Sequence, residues 1–320
     1  MELSVLKVIK SLGCFTKGEL MNVLNIDKKE IDDIIRELIE LGYIYKLSED
    51  RYCHEPYNDL SSLNEFLKKL DTKIRFNSVY FEQVSSTQSV ARQLAEEGAF
   101  EGTIVVAETQ SAGKGRYNRK WFSPKGGIWM TVILRPNLSP SMIPIMGLMM
   151  GVVVTEAINK EYKVHALVKW PNDVLIGCKK VCGILIEGSV QGSSLEYILV
   201  GIGINANNKL PSDVMGISLR EIIGKSVLRI PLIITLCRIL DRYYSLLVNN
   251  PSQEVVDKIL AKWKALSHTL GRKVRVTLCS GRDVIGKAVD VDSLGNLLLL
   301  INERKLKVAY HEVVKLAYLD

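Results

Sequence analysis

The sequence predicts a three-part α+β chain, and three observations carry that expectation. Residues 1–60 join short amphipathic helices to a hairpin, residues 73–269 interleave β-branched strands with long helices, and beyond Gly271 only short strands remain. At 320 residues the chain exceeds one ordinary domain. The expected divisions are a module at 1–62, a connecting helix at 63–72, a central domain at 73–269 and a small barrel at 270–320.

In the first module Leu3, Leu6, Ile9 and Leu12 mark one helix face, and Lys17 to Leu24 a second helix. Ile31, Ile34, Ile35, Leu38 and Leu41 then recur at helical spacing until Gly42 stops the third. Tyr43–Tyr45 and Arg51–Tyr52 flank the polar turn Ser48-Glu49-Asp50, a hairpin pattern. Helices followed by a hairpin are the order of a winged helix-turn-helix, in which residues 18–52 would face operator DNA. Charge argues the other way. Residues 1–60 hold 8 Lys/Arg and 12 Asp/Glu, a net of −4, which leaves +11 for the rest of a chain whose total is +7. Phosphate contacts dominate DNA affinity, so a protein–protein or vestigial role for this module stands beside the DNA-binding one.

Farther on, a strand ending near Val84 feeds Ser85-Ser86-Thr87, hydroxyls suited to capping a helix that runs to about Gly98. Strands are expected at Thr103–Glu108, Gly127–Leu134, Val164–Val168, Val174–Ile176, Gly183–Glu187 and Leu195–Asn205. Helices are expected at Pro144–Tyr162, Pro231–Val248 and Glu254–Leu266. Four last strands, Lys273–Leu278, Asp283–Val289, Asn296–Leu300 and Lys305–Ala309, suggest the barrel.

Several function classes drop out. The six cysteines (14, 53, 178, 182, 237, 279) and four histidines are too scattered for a zinc set. Reduced thiols are therefore expected. The apolar run Ile143–Ile158 contains Pro144, Gly147 and Gly151 and falls short of the ~20 residues that span a bilayer. No basic-plus-apolar segment opens the chain, so a cytoplasmic protein without membrane contact is expected. Gly201-Ile-Gly203 lacks a following helix and fails as a dinucleotide fingerprint.

The chemistry concentrates in Gln110–Pro124, where Gly113 and Gly115 alternate with Lys114, Arg116, Arg119 and Lys120 before Trp121. Glycines let backbone approach a ligand, clustered cations suit phosphate or carboxylate, and an indole offers a stacking face. The run reads as an anion-binding loop that would repel itself when empty.

Five motifs then stand in order: Ser85-Ser-Thr-Gln88; Gln110-Ser-Ala-Gly-Lys-Gly-Arg116 with Arg119-Lys-Trp-Phe-Ser-Pro124; Lys169-Trp-Pro-Asn-Asp173; Lys180-Val-Cys-Gly-Ile-Leu185; and Gly201-Ile-Gly-Ile-Asn205. Together they resemble the biotin–protein ligases, and the N-terminal module resembles that of the bifunctional type that also represses biotin synthesis genes. The resemblance implies a winged helix, a central mixed sheet related to class II aminoacyl-tRNA synthetases, and an SH3-like barrel. It implies that biotin and MgATP give biotinyl-5′-adenylate, which acylates one lysine of a biotin carboxyl carrier domain, and that the chain forms a homodimer. Ser86, Thr87, Gln88 and Gln110 would bind the ureido ring, with Lys114, Gly115, Arg116, Lys180 and Gly183 completing the biotin site. Arg119, Trp121, Asn172 and Asn205 would hold the nucleotide, while Arg116, Lys180 and Asp173 would do the catalytic work. Metal ligands are not legible. Lys114 stands where the family often has Arg, Asn118 where Gly is frequent, Gln88 where Asn is common and Cys182 where Ala is common. A related ligase using lipoate or octanoate is the alternative.

Overall fold

The fold comes from a computed structural model that describes residues 3–319; the side chain of Leu3 lies outside what is described. The N-terminal module runs α1 (Leu3–Leu12), β1 (Cys14–Thr16), α2 (Lys17–Leu24), α3 (Lys28–Leu41), β2 (Ile44–Ser48) and β3 (Arg51–His54). Thr16 and Glu19 cap α2 reciprocally, and the Asp27 side chain accepts from the Glu30 amide to start α3. Gly42, at φ 79°, ends α3 in the left-handed region that glycine adopts without penalty. The inward face of α3 closes a small core with Ile9, Phe15, Leu20 and Tyr52.

One expectation fails in this module. Cys14 and Cys53 are not free thiols but a disulfide. Antiparallel pairing of β1 with β3 sets Cys14 directly opposite Cys53, with Cα atoms 4.0 Å apart, across 39 residues of sequence. Scattered spacing could not reveal that register. Cys178, Cys182, Cys237 and Cys279 remain free.

The connecting helix is also shorter than expected. It is α4 (Leu63–Leu67), and Leu60, Leu63 and Leu67 are buried in the central core. The polar run Asp71-Thr72-Lys73 cannot extend an apolar face, and the Ile74 amide instead donates to Asp241 at 2.8 Å.

The central sheet follows from β4 (Asn77–Val84), β5 (Thr103–Gln110), β6 (Ile128–Leu134), β7 (Ala166–Lys169), β8 (Asp173–Ile176), β9 (Lys179–Gln191) and β10 (Ser194–Ile204), in the order β4-β5-β6-β10-β9-β8-β7. Only β4 and β5 pair in parallel, through the crossover helix α5 (Thr87–Glu96), so the sheet is mixed. Side chains alternate across a strand. On β5, Val105 joins the cluster under α5, while Ile104 and Val106 join the main core on the other face. That second face is covered by α6 (Ile143–Tyr162), α8 (Arg229–Asn249) and α9 (Gln253–Ala265), with the short α7 (Leu219–Ile223) before α8. By length and composition Pro140–Tyr162 could cross a bilayer, yet its apolar window is 72% buried inside the protein. It is a core helix.

The C-terminal part contains β11 (Lys273–Leu278), β12 (Asp283–Val291), β13 (Leu297–Ile301), β14 (Arg304–Val308) and β15 (Val313–Tyr318), ordered β14-β13-β12-β11-β15. Strand β15 is missed by the sequence reading. Adjacent Val313 and Val314 blur its alternation, and pairing with β11 supplies the order that local pattern does not.

The N-terminal module and the central domain meet at one buried knot. Glu108 on β5 accepts from Arg229 Nη1 at 2.6 Å and from the Gly126 amide at 3.3 Å, and Tyr43 donates its hydroxyl to the same carboxylate. Arg229 also donates to the carbonyls of Gly127 (3.0 Å) and Asn58. All three side chains are essentially solvent-free. Burial first, and Glu108 second, push the Tyr43 phenol well above its ordinary pKa, so it stays a donor. Replacing Glu108 with Ala should leave the Arg229 guanidinium buried and uncompensated, lowering stability by about 3–5 kcal/mol in urea unfolding. A loss under about 1 kcal/mol would contradict this account of the knot.

Candidate functional site

A cavity of about 380 Å³ opens where the ends of β5, β9 and β10 meet β15. That volume is within the range of small-molecule sites. Its lining brings together every residue the sequence reading selected: Ser86, Thr87, Gln88, Gln110, Lys114, Gly115, Arg116, Arg119, Trp121, Asn172, Asp173, Lys180, Gly183 and Asn205.

One part of the wall is neutral and pre-assembled. Ser86 begins α5 but makes no side-chain cap bond, and its Oγ is buried with no partner. The capping role expected of the serine run is absent at this residue, which leaves its hydroxyl available to a ligand. Gln110 Oε1 accepts from the Thr87 amide (2.8 Å) and hydroxyl (3.1 Å), and Gln110 Nε2 donates to Ser123 Oγ at 2.8 Å. Thr131 on β6 lies 2.9 Å from Thr87 Oγ1 and donates to Gln88 Oε1 at 3.1 Å. Gln88 Nε2 reaches Glu187 at 2.9 Å. These contacts fix which end of each amide is a donor.

The rest is cationic. Among the described residues the lining includes seven Lys or Arg (114, 116, 119, 120, 169, 180, 315) and a single carboxylate, Asp173, so an anion is required for balance. Lys180 Nζ pairs with Asp173 Oδ1 at 2.6 Å and lies 4.8 Å from the centroid of the Trp121 ring. Burial lowers the pKa of Lys169; Asp173 opposes that fall, while Lys180, Lys315 and Arg119 add to it.

The glycine loop is folded back on itself. The Gly115 amide donates to the Arg119 carbonyl (2.7 Å) and the Trp121 amide to the Gly113 carbonyl (2.8 Å). A Cβ on Gly113 would lie 2.5 Å from the Trp121 carbonyl oxygen, so the turn admits no side chain there. Lys114 donates to Ser89 Oγ at 2.9 Å rather than pointing at open solvent.

Asn172 and Asn205 are held by backbone partners. Asn172 Nδ2 donates to the Ile184 carbonyl at 2.6 Å, and Asn205 Nδ2 donates to the Lys180 carbonyl at 3.5 Å. Both brace the wall in addition to lining it.

Sequence reading missed Thr131, Lys169 and Lys315 as members of the site, and Ser123 as the partner of Gln110. Gly201 and Gly203 face the cavity along β10: a Cβ would meet Gln88 Oε1 at 2.6 Å and Trp121 Nε1 at 2.4 Å. Glycines two apart on a strand share a face, and that spacing was the available signal. Across the ladder Gly203 pairs with Gly183.

The fold and this cavity define an enzyme that handles a small carboxylic acid and a nucleotide. Residues 80–205 match the Biotin/lipoate A/B protein ligase family and residues 269–312 the Biotin protein ligase C terminal domain. The Bifunctional ligase/repressor BirA of Bacillus subtilis (strain 168) is 34% identical over 236 residues, covering 72% of this chain and 71% of that protein. The Biotin--[acetyl-CoA-carboxylase] ligase of Mycobacterium tuberculosis (strain ATCC 25618 / H37Rv) is 30% identical over 73% of this chain and 87% of its own length. Among solved structures, the biotin protein ligase from Aquifex aeolicus in complex with biotin and ATP superposes with a TM-score of 0.62 at 30% identity, covering 76% of this chain and 99% of that one. The chain belongs to the biotin–protein ligase family.

Replacing Gly203 with Ala should drive the Trp121 indole from its seat, since the new methyl falls within 2.4 Å of Nε1. Tryptophan emission should shift to the red as that ring enters water; an unchanged spectrum would mean that the indole does not rest on Gly203.

Proposed function

We propose that this chain condenses biotin with MgATP to biotinyl-5′-adenylate and then biotinylates one lysine of a carboxylase carrier domain. The observation that carries the reading is a single cavity joining a neutral amide-and-hydroxyl wall, with the Ser86 hydroxyl unpartnered, to a strongly cationic wall. A cyclic urea needs uncharged donors and acceptors, whereas a carboxylate and a triphosphate need cations.

In the first step a biotin carboxylate oxygen attacks the α-phosphorus and pyrophosphate leaves. Two anions must meet, so positive charge at the reacting centre lowers the barrier. We assign that work to Arg116 and Lys180, with the Gly115 amide and Lys114 beside them. In the second step the carrier amine attacks the acyl carbon and AMP leaves. Lys180 faces the developing oxyanion, and Asp173, 2.6 Å from Lys180, receives the amine's proton. Trp121, Arg119, Asn172 and Asn205 surround the nucleotide. Among the described residues no group of three or more His, Cys, Asp or Glu gathers. Magnesium would be held chiefly by the ATP phosphates, where it would neutralise charge on the triphosphate.

We further read residues 1–62 as a winged helix-turn-helix, 73–269 as a class II synthetase-like catalytic domain and 270–320 as an SH3-like barrel. The acidic character of α3 is a weaker objection to DNA binding than composition suggests. Asp32 pairs with Lys17 at 2.5 Å, and Glu40 pairs with Lys209 at 2.6 Å and Arg220 at 3.6 Å. The name of the Bacillus relative supports a repressor role, and a palindromic operator would require two copies of the chain.

Purified protein with biotin, MgATP and a carrier domain should release pyrophosphate and add one biotin to the carrier, and lipoate should replace biotin in neither step. No mass gain on the carrier would sink the reading. Replacing Lys180 with Ala should slow adenylate formation by ~100-fold or more while biotin affinity, read by titration calorimetry, changes little; wild-type turnover would remove Lys180 from the mechanism. For the repressor half, adenylate should tighten binding to a palindromic site, whereas equal and wholly salt-sensitive binding to any sequence would refute it.

A further inference from the structure

Tyr117 and Asn118 both adopt φ 56°, two consecutive non-glycine residues in the left-handed region. Asn tolerates that conformation, but a bulky aromatic does so at a cost of roughly 1–2 kcal/mol, so its contacts must offset the strain. The Tyr117 hydroxyl donates to the His311 carbonyl at 2.6 Å. Its ring lies 5.1 Å from the Arg116 Cζ, and the Tyr310 ring lies 4.7 Å from the same atom. Arg116 Nη2 donates to the Tyr310 carbonyl at 2.8 Å and to the Tyr117 hydroxyl at 3.3 Å. The guanidinium thus contacts two tyrosine rings, one from its own loop and one from the C-terminal part, 194 residues away.

The two rings differ in freedom. Tyr310 stands edge-on to the fully buried Trp170, with ring centroids 6.3 Å apart, and abuts Gly147 of α6, so it is a fixed jaw. Tyr117 is 44% exposed and belongs to the glycine loop, so it is the jaw on the solvent side. Arg119, donating to the Val314 carbonyl at 3.0 Å, fastens the same loop a second time.

We propose that Tyr117 is a positioning residue that clamps the Arg116 guanidinium against Tyr310, so that the C-terminal part sets where Arg116 stands during adenylate formation. The proposal rests on the ligase reading given above, in which Arg116 meets the reacting phosphate. A guanidinium free to swing would supply the same charge at the wrong place, and misplacement by about 1 Å is enough to cost a large rate factor. Both the ring face and the anchored hydroxyl contribute, so they separate by substitution.

The test uses the full-length protein, biotin, MgATP and pyrophosphate release under single-turnover conditions. Tyr117→Leu, which removes the ring face and the hydroxyl, should slow adenylate formation on the order of 10-fold. Biotin affinity without nucleotide and the melting temperature should stay at wild-type values. Tyr117→Phe, which keeps the ring, should recover most of the rate. Arg116→Ala alone should be slow, and adding Tyr117→Leu to it should cause no further loss, because the clamp then has nothing to hold. A wild-type rate for Tyr117→Leu, or a full 10-fold loss added on top of Arg116→Ala, would overturn the clamp while leaving the ligase reading intact. A wild-type rate for Arg116→Ala would overturn the clamp and the role assigned to Arg116, whereas no pyrophosphate release by the unsubstituted protein would overturn the ligase reading.

Discussion

A single desolvated ion pair, Glu108 with Arg229, is the constraint on which the assembly depends. Each partner is nearly inaccessible to water, and a charge in that position is tolerable only while it is matched. The matching groups come from separate places: Tyr43 and Asn58 from the N-terminal region, Gly126 and Gly127 from the segment after the glycine loop, Arg229 from the start of α8. Asn207 adds a second layer, bonding the Leu41 carbonyl at the end of α3 and the Val227 carbonyl just before α8. Because Glu108 lies two residues before Gln110, and its Gly126 partner two residues after Pro124, both roots of the loop are fixed by this one carboxylate. A rigid frame for a catalytic loop lowers the ordering cost when ligand arrives.

The cavity built on that frame separates its two tasks by chemistry. In its neutral wall Thr87, Gln88, Gln110 and Thr131 already bond one another, so these groups are oriented before any ligand is present, and the Ser86 hydroxyl is left without a partner. Its cationic wall is the opposite: like charges are crowded around one carboxylate, and Lys169 is held below its ordinary pKa by burial first, with Lys180, Lys315 and Arg119 adding to the fall. An anion entering there relieves an existing strain as well as gaining attraction. Recognition is thus preorganised where selectivity is needed and electrostatically loaded where charge must be brought together.

Much of this was legible in the sequence because the signals were local. The helices of the N-terminal module announced themselves through caps and 3.6-residue periodicity, and every selected site residue lines the same cavity. What escaped depended on pairing between distant segments. Cys14 and Cys53 read as unrelated until β1 and β3 set them opposite each other. Strand β15 gains its identity from β11, and with it Lys315 enters the site. Thr131 sits in an apolar strand where one threonine looks like β-propensity alone. Gly201 and Gly203 stood in one of the five motifs, but the face they share beneath Gln88 and Trp121 is set by contacts between distant segments. The connecting helix was overextended because its apolar residues, Leu63 and Leu67, belong to the central core and end where that core ends.

The floor of the cavity is made by omission. Gly183, Gly201 and Gly203 lie on neighbouring strands of one sheet, and the side chains they lack leave the room that Trp121, Lys180 and Gln88 occupy. A pocket bounded by large side chains changes size unpredictably as those chains repack. Here each missing methyl is matched to a particular neighbour, so restoring one would displace Gln88 at Gly201 or Trp121 at Gly203. The bare backbone thus works as a seat for the side chains that shape the cavity, with the β9–β10 ladder as its fixed base.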